Sequence, residues 1–154
     1  MKEKGRDLLI DMLTAAYWME IETVMNYLAN VVDLDGIRAE EIKKSLLADV
    51  AEELTHAQGF ARRIKELGGR IPGSTQFKAS QKSLQPPKDT TNVVAVIRGV
   101  IEAEETAIAH YKRLIEEAGA QHDYVTQDLG IRTLADEEGH RALFVGCLKE
   151  YAKK

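Results

Sequence analysis

The chain has 154 residues, 44% hydrophobic and 30% charged, a composition that supports a single domain with a sizeable core and does not fit a disordered chain or a membrane protein. The net charge of −4 is spread without a basic stripe, so nucleic-acid binding is not expected, and no apolar run approaches the ~20 residues that span a bilayer. Cys147 has no second cysteine to pair with and no leader-like stretch opens the chain, so a cytoplasmic protein of one domain, residues 1–154, is expected.

Ala, Leu, Ile, Glu and Lys dominate and aromatics are few, which favours helix over strand. The first predicted helix covers about residues 5–32. Its inward stripe is Leu9, Leu13, Ala16, Tyr27 and Val31, stepping by three, four or a heptad once Glu20 is included. Asp33-Leu34-Asp35-Gly36 breaks it. The second helix, about 37–67, carries Leu46, Val50, Ala57, Phe60, Ile64 and Leu67, with Glu53 between Val50 and Ala57. Gly68-Gly69 stops that helix, and Pro72, Pro86 and Pro87 mark a long connection that ends near Thr91 at a Thr or Asn N-cap.

The third helix, about 91–117, has the stripe Val93, Ile97, Val100, Ile108, Tyr111 and Ile115, with Glu104 in its seam. A break around Ala118–Asp123 follows, and the fourth helix, about 122–151, presents Leu134, Phe144, Cys147 and Leu148, with Glu137 and His140 in register. Two short turns and one long crossover describe an all-α four-helix bundle of rods roughly 40 Å long.

Four helices therefore turn one glutamate each into a dry seam: Glu20, Glu53, Glu104 and Glu137. An unpaired buried carboxylate costs several kcal/mol, so four together call for cations between them. His56 and His140 each lie three residues after a seam glutamate, on the same helix face. Oxygen and imidazole donors together suit iron or another first-row transition metal, and four carboxylates neutralise two divalent ions. The same spacing of 33 residues separates Glu20 from Glu53 and Glu104 from Glu137. A shift of 84 residues superposes Glu20 on Glu104, Glu53 on Glu137, His56 on His140 and Tyr27 on Tyr111. Two related hairpins meeting about a pseudo-two-fold axis are predicted.

Other polar residues have plainer readings. Glu22, Glu102, Glu105 and Glu138 read as surface charges or capping pairs, His110 and His122 as surface or packing residues, and Cys147 as a small buried hydrophobe. Met12, Met19 and Met25 read as packing residues, and Tyr111 as core.

This pattern resembles the ferritin-like superfamily, nearest to bacterioferritin and to Dps-like proteins with a bacterioferritin-type centre. It is carried by Asp136-Glu137-Glu138-Gly139-His140, by His122-Asp123-Tyr124-Val125 and by the Glu-x-x-His pair. The resemblance implies two Fe ions per chain, bridged by Glu53 and Glu137. Glu20 with His56 would complete one site and Glu104 with His140 the other, with Tyr27 beside the centre. It implies that Glu52 and Asp136 orient the histidines. It further implies oxidation of Fe(II) by O2 or H2O2 for storage or detoxification in a homo-oligomer, as a 12-mer cage, a 24-mer or a dimer. Leu54 stands where the family's haem-binding methionine would be, so no haem is expected. The chain stops soon after the fourth helix, without the family's short fifth helix, which argues against the 24-subunit shell. A rubrerythrin-like di-iron peroxidase and a dimanganese catalase (Mn in place of Fe) share the ligand chemistry, though no Cys-x-x-Cys electron-donor motif is present. A metal-free helical interaction module would instead tolerate loss of the four glutamates.

Overall fold

A computed structural model describes residues 3–153. Four long helices dominate: α1, Glu3–Asp33; α2, Glu40–Glu66; α3, Val93–Ala120; and α4, Tyr124–Tyr151. No strand occurs among the described residues. This is the predicted four-helix bundle with a long crossover, residues 67–92.

The helix ends follow local chemistry. Gly36, at φ 93°, turns the chain after α1, and residues 37–39, expected to open the second helix, form a separate 3-10 turn before α2. Gly68, at φ 85°, closes α2 while the Gly69 N–H donates to the Ile64 carbonyl and the Gly68 N–H to Lys65, capping two free carbonyls. Asn92 is the N-cap of α3, its side chain accepting from the Ala95 N–H.

The α3–α4 junction differs from expectation. The third helix runs three residues further, and His122, at φ 57°, takes the left-handed position usually given to glycine, with its N–H donating to Gly119 and that of Asp123 to Ala118. Asp123 then caps α4: its carboxylate accepts from the Thr126 N–H and hydroxyl and pairs with Arg63 of α2 at 2.7 Å.

Two apolar clusters fill the bundle. One joins late α1, early α2, early α3 and late α4 through Tyr27, Leu46, Val93, Ile97 and Phe144. The other joins the opposite ends through Leu9, Leu13, Phe60, Ile64 and Leu114. This pairing of ends makes α1 and α2 antiparallel, as are α3 and α4. The crossover therefore runs the full length of the bundle.

The inner face of α4 corrects the hydrophobic stripe. Thr126, Gly130, Thr133, Glu137, His140 and Phe144 are buried, while Leu134, Cys147 and Leu148 pack half-buried at the margins. A Cβ on Gly130 would come within 3.0 Å of the Ile115 side chain, so the small residues set how closely α4 approaches α3. In α3, Leu114 is the fully buried residue and Ile115 is half-buried.

Glu22 also departs from its reading as a surface charge. It is 3% exposed and accepts from the Ser80 N–H, the Ser80 hydroxyl and the Gln81 N–H at 2.7–2.8 Å. Asn26 binds Gln81 and Gln85, and Asn30 donates to the Leu84 carbonyl. Leu84 enters the core, and a Cβ on Gly99 would meet the Ser83 carbonyl at 2.4 Å. A polar edge of α1 thus fastens the crossover over α1 and α3.

Candidate metal centre

Between the two apolar clusters lies a polar layer. Glu20 comes from α1, Glu53 and His56 from α2, Glu104 from α3, Glu137 and His140 from α4, and all six are buried. Every residue expected at the centre is brought to it.

The layer consists of two overlapping quartets: Glu20, Glu53, His56 and Glu137, and Glu53, Glu104, Glu137 and His140. Within each, one donor atom per residue lies within 4.8 Å of the others. Glu53 turns Oε2 toward His56 Nδ1 at 3.4 Å and Oε1 toward His140 Nδ1 at 3.5 Å. Glu137 does likewise, with Oε1 at 3.3 Å from His56 and Oε2 at 3.5 Å from His140. Glu20 reaches only His56, at 3.8 Å, and Glu104 only His140, at 3.9 Å. Two carboxylates span both halves and two serve one half each.

Both histidines present Nδ1 inward. Their outer Nε2 atoms meet carboxylates across the bundle: His56 (α2) with Asp136 (α4) at 3.1 Å, and His140 (α4) with Glu52 (α2) at 3.0 Å. A proton held on Nε2 by these carboxylates lets Nδ1 turn a lone pair to the interior once its own proton has left. The sequence pointed to Glu52 and Asp136; that each serves the histidine of the other helix follows only from the packing. An open groove of about 720 Å³ between α2 and α4 reaches Glu52, His56 and Asp136.

The tyrosines complete the symmetry. Tyr27 of α1 donates to Glu104 of α3 at 2.8 Å, and Tyr111 of α3 donates to Glu20 of α1. Periodicity alone makes Tyr111 a core residue; its equivalence to Tyr27 under the 84-residue shift is the sequence signal for this second role. Asp49 was not anticipated: it is buried 3.9 Å from His140 Nε2, and burial raises its pKa to about 6. Its equivalent under the shift is Thr133, so the repeat does not reveal it.

The electrostatics are those of a cation site filled by protons. Burial first, then the charge of Glu53, holds the Glu20 pKa well above the usual range, and burial with Glu137 beside it takes Glu104 to about 11. Burial also acts against ionisation of Glu53 and Glu137, but the proton on the neighbouring Glu20 or Glu104 and both imidazoles hold them below the ordinary value. Desolvation opposes charge on the histidines, yet the surrounding carboxylates prevail, raising His56 strongly and His140 to about 12.

Seven buried side-chain polar atoms lack a hydrogen-bond partner among the described residues. Five are here: both Glu53 oxygens, Glu137 Oε1, His56 Nδ1 and His140 Nδ1. Buried polar atoms are rarely left without partners. Buried oxygen and nitrogen donors that converge without hydrogen-bond partners fit a pair of transition-metal ions.

Residues 10–153 match the family model described as the ferritin-like domain. The chain belongs to the ferritin-like family. A bacterioferritin of Desulfovibrio desulfuricans is 25% identical over 139 residues, which cover 90% of this chain and 73% of that one. Among solved structures, a ferritin-like diiron-carboxylate protein of Bacillus anthracis superposes with TM-score 0.84 at 22% identity, covering 96% of this chain and 99% of its own. A bacterioferritin-related protein of Bacteroides fragilis, described as a dodecameric thioferritin, gives TM-score 0.83 at 24% identity over 96% and 88%. The ferritin-like fold thus spans almost the whole chain, and no helix among the described residues is long and apolar enough to cross a membrane.

Proposed function

We propose that this protein is a non-haem ferroxidase that takes up two Fe(II) per chain and promotes their oxidation by O2 or H2O2. The observation that carries the reading is the paired quartet: Glu53 and Glu137 each offer one oxygen to either half, while Glu20 with His56 and Glu104 with His140 finish the halves separately. Iron, when bound, supplies the electrons that reduce the oxidant.

The protein's own part is positioning and charge. Glu53 and Glu137 would hold the two cations between the halves, and the four carboxylates would balance their charge. Asp136 and Glu52 keep each imidazole in the tautomer that exposes Nδ1. The apolar clusters on either side limit solvent and keep the donors from relaxing outward. Glu52 and Asp136, both partly exposed at the α2–α4 groove, form the carboxylate mouth through which a hydrated cation would approach.

Self-association belongs to the same reading. Met25, Leu28 and Val32 on α1 and Leu47 and Leu54 on α2 are exposed apolar residues, and the Bacteroides fragilis neighbour is described as dodecameric. Native mass measurement distinguishes a 12-mer from a 24-mer or dimer.

Anaerobic titration of metal-free protein with Fe(II), followed by oxygen, is the direct test. Two irons per chain and rapid oxidation are expected, lost in Glu53→Ala and Glu137→Ala. Failure to bind iron, or unchanged oxidation in both variants, overturns the reading. Sustained peroxide turnover with an added reductant and no iron accumulation would favour a recycled peroxidase centre instead.

A further inference from the structure

We propose that Tyr111 is a positioning residue for Glu20, setting the affinity of the Glu20/His56 half independently of the other half. The inference rests on the two-metal reading above. Tyr111 is fully buried on α3, and its hydroxyl donates to Glu20 Oε1 across the bundle. That leaves Glu20 Oε2 as the oxygen facing His56 Nδ1, at 3.8 Å. One carboxylate oxygen is thus committed to the tyrosine and the other to the interior.

Two further observations fix the tyrosine itself. Its ring packs on Phe60 with centroids 5.4 Å apart and meets the edge of the His110 ring at 5.9 Å. His110 is anchored in turn by a 2.8 Å contact with the Met12 carbonyl of α1, eight residues before Glu20. The ring is therefore held by groups from α1, α2 and α3, and its hydroxyl has no choice of partner but Glu20. Truncation to phenylalanine keeps the packing and removes only the donor.

Tyr27 serves Glu104 in the same way from the opposite direction. The consequence is a crossed arrangement: the tyrosine on α3 governs the half completed by α1, and that on α1 governs the half completed by α3. Neither tyrosine touches both terminal carboxylates, so the halves are separately tunable. A tyrosine needed merely for folding would affect both halves alike.

Anaerobic Co(II) titration, read by the ligand-field absorption of the bound ion, distinguishes these cases. Wild type is expected to bind two Co(II) per chain. Tyr111→Phe should leave one binding step unchanged and weaken the other about tenfold or more. In a Glu104→Ala background, where the Glu20/His56 half remains, Tyr111→Phe should weaken binding; in a Glu20→Ala background it should change nothing. Tyr27→Phe should give the reverse pattern. Two unaltered steps in Tyr111→Phe, equal weakening of both, or an effect that persists in Glu20→Ala would overturn the proposal while leaving the ferroxidase reading intact. No cobalt binding by wild type would instead remove the two-metal reading itself. Circular dichroism of the metal-free variants checks the fold; if Tyr111→Phe does not fold, the Tyr27→Phe arm tests the crossed rule alone.

Discussion

Glu20 and Glu104 are shifted toward the protonated form, Glu53 and Glu137 toward the ionised form, and both imidazoles toward the charged form. Those directions set two ionised carboxylates against two imidazoliums within the metal-free ligand set. Two divalent ions with four carboxylates and two neutral imidazoles are neutral as well, so loading exchanges four protons for two metals. The sign follows from the raised values of Glu20, Glu104, His56 and His140: these protons stay on through neutral pH and compete with the metal, so affinity rises with pH and falls in acid. Calorimetric Zn(II) titration in buffers of differing ionisation enthalpy should show release approaching four protons per two ions. Release near zero would contradict this assignment. Asp136→Ala should lower the affinity of the His56 half by about 10–100-fold by freeing the imidazole, measured by competition with a chelator. The six seam residues were legible because helical periodicity placed each carboxylate where a leucine belonged. Glu22 was not legible, because its partners Ser80 and Gln81 lie 58 and 59 residues away and no periodicity encodes a loop that folds back.

At the scale of the elements, the long helices were visible in sequence and their ends less so. Residues 37–39 continue an amphipathic pattern yet form a 3-10 turn, which follows directly on the positive-φ Gly36. His122 reads in sequence as a surface or packing residue, whereas it occupies a left-handed position just before the Asp123 cap. Its Cβ makes that conformation costly, so His122→Gly should stabilise the protein by about 0.5–1 kcal/mol, as measured by urea unfolding. A loss of stability would mean that the ring contributes more than the backbone strain removes. The inner face of α4 was misread for a related reason: Thr126, Gly130 and Thr133 are buried by a close helix approach that hydrophobicity alone cannot report.

The whole molecule is two hairpins joined by one strap, with the polar layer at mid-height between two apolar ends. In sequence, the 84-residue shift already implied that symmetry, while the path of the crossover along α1 became clear only from Glu22, Asn26, Asn30 and Leu84. Metal held by the four glutamates and two histidines would tie α1 and α2 to α3 and α4, so binding should act as folding free energy. At a hundredfold excess over its dissociation constant each ion adds about 2.7 kcal/mol, and two should raise the thermal midpoint by roughly 10–20 °C. Differential scanning calorimetry with and without Zn(II) checks this, and Glu53→Gln should abolish most of the rise. In the metal-free state the same substitution should itself cost stability, since it leaves the two buried imidazoles short of one balancing carboxylate.

Because α1 and α4 run parallel, Lys4 and Lys149 lie at opposite poles of the rod, about 40 Å apart for helices of this length. A donor and an acceptor dye on these two side chains would turn the bundle into its own ruler. Partial opening of either pole would then be seen as a change in transfer efficiency in a single chain, while the centre stayed untouched by the labels.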